Sequence, residues 1–277
     1  MLLSTIHWAS LFSAHTINRP PVFGKSGVPS TGGGFKQQDW SAFVTRFAGE
    51  NGVDYPGFQR VQRLLRELLS RLSDARPDEW EYADEQLAFY LNAFNAIAIY
   101  EVLRRYPVNS IRDIPAAFAR PYPVGPENLS LHQLLHSKIR AFHDPRVHAA
   151  IVPATASAPC LRAYTGSGLQ QELDEQMRAL LSPPAQRRSP THGFAISRVF
   201  QWYAGDFAAP DHMPSLPMLL RGRSRPSLAV PYLRRYADPE LRQAFDTGKL
   251  GYLRYDWRLN DASSRDDILT ARSRQTT

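Results

Sequence analysis

The sequence predicts an α+β protein: a helix-rich single domain around a small sheet, preceded by an irregular N-terminal arm. Three observations predict it. Residues 86–100 carry no formal charge, and their apolar side chains occupy every face of the implied helix, which places that helix in the interior. Phe58, Val61, Leu65, Leu68 and Leu72 recur at spacings of three and four, the stripe of an amphipathic helix. Short apolar runs at Val147–Val152, Phe194–Ser197 and Leu250–Tyr255, bounded by loops, supply strand candidates.

Taken in order, residues 1–39 form the arm, with Pro, Gly and Ser concentrated from 18 to 39. The run Gly32, Gly33, Gly34 has no Lys-Ser/Thr partner and no preceding strand, so it is no phosphate loop. The domain spans 40–261. A short helix is expected over 40–50 and the amphipathic helix over 57–73, with Arg60, Arg63 and Arg66 on its wet side. The apolar helix starts near Asp84 and stops before Pro107. Ser130 is a credible N-cap for a helix reaching Arg140. Val147–Val152 is expected to be a buried strand or core segment, and Leu169–Leu181 a helix. Phe194–Ser197 leads as a strand into a helix through Trp202 and Tyr203, and 208–227 is expected to be an exposed connection. A short helix at Pro239–Phe245 and a strand at Leu250–Tyr255 follow, and 262–277 is a polar tail.

Composition narrows the function classes. The net charge of +7 comes chiefly from arginine, including Arg221, Arg223, Arg225 and the pair Arg234 and Arg235. Without aromatic-basic interleaving or a nucleic-acid signature, no nucleic-acid partner is expected. No apolar run is long enough for a transmembrane segment. The N-terminus has no positive n-region, and His7, Ser10, Ser13 and His15 interrupt its apolar stretch, so a signal peptide is weakly supported. The single cysteine, Cys160, excludes an internal disulfide framework.

Three groups of residues can carry chemistry. Asn92 and Asn95, three apart, lie on one side of the apolar helix, where a buried carboxamide must either pin a loop or line a site. Cys160 with His136 or His148 as base has the residue types of a thiol nucleophile, while the alternative for Cys160 is a small buried hydrophobe. His132 and His136 have the i, i+4 spacing of two helical metal ligands. Gln133 stands where a metalloprotease needs its acid, which removes that hydrolytic mechanism but leaves metal binding open as a third class; with only two of the three or four needed ligands fixed by spacing, no metal and no cofactor are expected. In Asp144-Pro-Arg-Val-His148, Arg146 can make forked hydrogen bonds, and Asp206 or Asp256 is its expected carboxylate.

Several segments together resemble one family, the domain of unknown function 547. They are Val53 to Tyr55, Leu87 to Ala96, Pro107 with Ser110 to Ile114, Ser130-Leu131, His136, Asp144 to His148, Ser197 to Tyr203 with Asp206-Phe207, and Tyr255 to Asp261. The resemblance implies a fold and a site but no established reaction. Leu135 occupies the position where the family carries an acid before its histidine. Pro153 and Ser157-Ala158-Pro159 stand where the family carries cysteines, and Cys160 lies two residues beyond the second. The expectation is a catalytically degenerate binding domain for a small molecule or peptide, in a groove beside Asn92, Asn95, His136, Arg146 and His148. The alternative is a cysteine-dependent hydrolase or acyl transferase using Cys160 with His136 or His148.

Overall fold

The computed structural model describes residues 35–182, 187–189, 193–208, 226–248 and 250–263. The expected arm before residue 35, the arginines at 221, 223 and 225 and the tail beyond 263 lie outside them. The chain divides into two compact units: one takes in His143–Ala149 and Asp174–Tyr255, the other the stretch ending at Phe142, Ala150–Leu173 and the stretch from Asp256. We call them the three-strand unit and the central-helix unit.

The central helix, Ala83–Leu103, organises its unit. Asp84 and Glu85 in its first turn complement the positive end of the helix dipole. From Leu87 to Ile99 every side chain is buried, as a chargeless run with no polar face requires. Gln37–Phe47, Tyr55–Arg60 and Gln62–Ser70 precede it. The amphipathic stripe therefore runs over two helices, with Leu65, Leu68 and Leu69 buried on the second. Asp54 caps the first of the two by accepting from Gly57 N at 2.7 Å.

The hairpin Pro121–Val124 with Glu127–Ser130 leads directly into a capping box: Ser130 Oγ accepts from Gln133 N, and Gln133 Oε1 accepts from Ser130 N. The α-helical turn Leu131–Gln133 then widens into a π-helix, Leu134–Ile139. A helix from Ser130 was expected; its π geometry was not.

The three-strand unit contains a mixed sheet: Gly193–Ile196 pairs antiparallel with Arg187–Ser189 and parallel with Leu250–Tyr252. Its helices include Val199–Trp202, Pro226–Leu233 and Pro239–Thr247. The last is capped by Asp238, begins with Pro239 and ends at Gly248, whose φ of 67° fits the left-handed C-terminal position.

The α+β, helix-rich class holds, with strands distributed over three small sheets among the described residues. Of the two readings of Val147–Val152, buried strand or core segment, the second holds. Val147–Ala150 is a single helical turn and the residues that follow belong to no strand. The segment is buried as core, yet no strand neighbour meets it. Among the described residues, no helix is long and apolar enough to cross a membrane.

Candidate functional site

Both asparagines are fully buried and each grips backbone. Asn95 donates through Nδ2 to Ala150 O at 3.0 Å and accepts at Oδ1 from Val152 N at 2.8 Å. Asn92 donates to Tyr164 O at 2.8 Å and accepts from Tyr164 N at 2.9 Å. A carboxamide presents the same donor and acceptor as a peptide group, so each side chain stands in for the strand neighbour its loop lacks. Ala150 and Val152 are thereby satisfied without a strand ladder. Tyr164 Oη also donates to Ala150 O at 3.3 Å, tying the two loops together. Gly166 continues the same contact: a Cβ there would lie 2.5 Å from Glu85 Cγ, two helical turns before Asn92. Of the two roles open to the amides, loop pinning accounts for the donors and acceptors described.

His136 sits on the π-helix of the same unit. Arg140 Nη1 lies 2.9 Å from His136 Nδ1. A guanidinium only donates, so Nδ1 accepts and the neutral imidazole carries its proton on Nε2. Burial lowers the pKa of His132, whose ring lies 4.5 Å from that of His136. Leu135 is buried at the position where the resemblance implies an acid. Cys160 is exposed, against the reading of it as a buried hydrophobe. Among the described residues, no group of three or more His, Cys, Asp or Glu side chains is arranged to hold a metal ion.

The remaining two candidates, Arg146 and His148, belong to the three-strand unit. Arg146 is held by a fork: Nε donates to Asp144 Oδ1 at 3.0 Å, Nη2 to Asp144 Oδ2 at 2.6 Å, and Nη1 to Asp174 Oδ1 at 2.8 Å. Its carboxylates are thus Asp144 and Asp174, correcting the expected Asp206 or Asp256. Asp256 instead pairs with Arg258 at 2.5 Å. Burial would weaken the Arg146 cation, but bonding to Asp144 and then Asp174 reverses this and raises its pKa. Tyr236 Oη donates to Asp174 Oδ1 at 2.8 Å. Burial pushes the Asp174 carboxyl up, yet the bonds from Arg146 and Tyr236 prevail and hold it below the usual carboxylate range.

These groups line an open concavity of about 540 Å³, with Arg178, Tyr232 and Arg235 completing its polar wall. The Arg235 guanidinium lies over the Tyr232 ring at 4.4 Å and that of Arg178 over Tyr236 at 5.8 Å. Asp174, Arg178, Tyr232 and Tyr236 escaped the sequence reading. Asp174 and Arg178 carry a faint signal as an i, i+4 pair, 3.5 Å apart here.

His148 is buried, with Nε2 paired to Asp206 Oδ2 at 2.7 Å and its ring stacked on Tyr203 at 3.7 Å. Asp206 therefore orients a histidine rather than bracing Arg146. The expected groove draws on both units: Asn92, Asn95 and His136 in one, Arg146 and His148 in the other, with Cys160 in the first.

Neither a curated protein nor a solved structure matches the chain. Residues 77–181 match the model of a family described as a protein of unknown function, DUF547. That interval holds both asparagine clamps, the capping box, the π-helix and the Arg146–Asp144–Asp174 fork. Over residues 77–181 the chain is similar to that family.

Proposed function

We propose that this chain is a catalytically degenerate binding domain that takes a small molecule or peptide in the concavity around Arg146. The observation that carries the reading is a recess of about 540 Å³ lined by Arg146, Arg178, Arg235, Tyr232 and Tyr236. Preformed charged and aromatic groups around a recess of this size are what small-molecule sites use to fix a ligand. The degenerate half of the reading rests on Leu135, on the engagement of His136 Nδ1 by Arg140 and on Pro153 and Ala158 at positions where the resemblance implies cysteine.

The second reading is a cysteine-dependent hydrolase or acyl transferase employing Cys160. It draws on the His148–Asp206 pair, which has the form of a base oriented by an acid. One experiment separates the two. A fragment library is screened by ligand-observed NMR against the wild-type chain and Tyr232→Ala, and activated esters are assayed with the wild-type chain and Cys160→Ser. The binding reading expects fragments that lose their signal in Tyr232→Ala and ester hydrolysis at the background rate. Turnover abolished by Cys160→Ser overturns it.

A further inference from the structure

Resting on the reading of that concavity as a binding site, we propose that its ligand is a small molecule bearing an oxyanion, a carboxylate or a phosphate, gripped by Arg235 and the outer edge of Arg178. The sign of the ligand follows from which groups are already occupied. Three guanidiniums and two carboxylates line the recess: Arg146, Arg178 and Arg235 against Asp144 and Asp174.

The carboxylates have little left to offer a cation. Asp144 Oδ1 accepts from Arg146 N and Nε, and Oδ2 accepts from Nε and Nη2. Asp174 Oδ1 accepts from both Arg146 Nη1 and Tyr236 Oη, while Oδ2 faces Arg178 Nη2 at 3.5 Å. A carboxylate has about four lone-pair sites, so the acceptor capacity of this wall is nearly spent.

The donors are not. Arg146 is consumed by its two partners, but Arg235 has no carboxylate partner among the described residues, and its guanidinium lies over the Tyr232 ring. A stacked guanidinium uses its face against the ring and keeps its in-plane N–H groups for an oxyanion. Arg178 is exposed and only loosely held by Asp174. The Arg146 fork braces Asp174, and through it Tyr236, so the Arg178–Tyr236 pair rests on a fixed base. An anion entering here therefore meets two exposed cations, each beside a tyrosine ring, and no unpaired negative charge.

The test uses four probes sharing one ring: phenyl phosphate, benzoate, benzamide and benzylamine. Each is titrated by NMR into the wild-type chain, Arg235→Gln and Tyr232→Leu, at low and at raised salt. Phenyl phosphate or benzoate should bind, at least about tenfold more weakly in Arg235→Gln and more weakly as salt rises. Binding of phenyl phosphate alone assigns a phosphate, and binding of benzoate alone or of both assigns a carboxylate-accepting site. If benzamide or benzylamine binds as tightly as benzoate, indifferent to Arg235→Gln but lost in Tyr232→Leu, the anion inference fails and the binding site stands. If no probe binds, or neither substitution changes binding, both fail.

Discussion

The central helix and the concavity handle polar groups in opposite ways. Asn92 and Asn95 have no exposed surface, carry no charge and bind only the chain's own backbone. Around Arg146 the groups are ionised, partly open to solvent and bonded to one another through side chains, with Arg235 left over. A buried amide is tolerated because every donor and acceptor finds a peptide group of fixed geometry. Ionised groups keep their charge because they are half-buried and forked. The first arrangement leaves nothing for a ligand; the second leaves a guanidinium. Polar residues in an apolar setting therefore do not by themselves mark a site. What marks one is capacity that the chain has not used on itself.

The sharpest way to break this contrast is Asn95→Ala. It orphans Val152 N–H in the core and removes one of the two donors to Ala150 O, at about 1–3 kcal/mol for each group left unsatisfied. Urea unfolding should show a lower midpoint with unchanged slope, and a variant as stable as the parent would mean that the clamp does not pin its loop.

Arg146→Met should cost less, about 2 kcal/mol. It removes charge-assisted bonds, but the carboxylates of Asp144 and Asp174 can still reach water. Its second effect is on acid titration. Asp174 has a pKa held below its unfolded value, so between the two values the unfolded chain binds the extra proton. The stabilisation is complete above the unfolded carboxylate range and is lost as pH falls through the folded value. Asp174→Asn should accordingly flatten the acid limb of stability against pH. An unchanged limb in that variant would show that the fork does not hold the carboxylate ionised.

The smallest effect belongs to His132, partly buried, with its pKa lowered. Its contribution is full above the unfolded histidine value and declines as pH falls below it, because the folded state resists the proton that the unfolded state accepts. His132→Gln should remove a shallow slope near pH 6, measured by chemical denaturation across pH, and leave stability at pH 8 little changed.

Much of this fold was legible residue by residue. A run from Gln86 to Tyr100 with no charge admits only an interior helix, and the structure has one at Ala83–Leu103. Leu169–Leu181 is helical as its pattern requires, and Ser130 caps as its spacing to Gln133 requires. Two local features were decided elsewhere in the chain or against its composition. Val147–Val152 has the composition of a strand, but Asn95 supplies the hydrogen bonds a neighbouring strand would give. The helix Pro226–Leu233 starts inside the stretch 208–227 expected to be a connection; Pro226 occupies a first-turn position where no N–H is needed, and Pro231 is accommodated inside.

The sequence by itself determined the elements whose cause is local: apolar periodicity, caps, the absence of charge, and the need of two buried amides for partners. Only the tertiary structure decided which groups became those partners, and it gave the asparagines to backbone, Asp206 to His148 and Asp174 to Arg146. Period and propensity act over a few neighbouring residues, whereas Arg146 and Asp174 are 28 positions apart and His148 and Asp206 are 58. A hydrogen bond at that separation leaves no regular spacing in the chain, since any carboxylate the fold brings to the guanidinium satisfies it equally well.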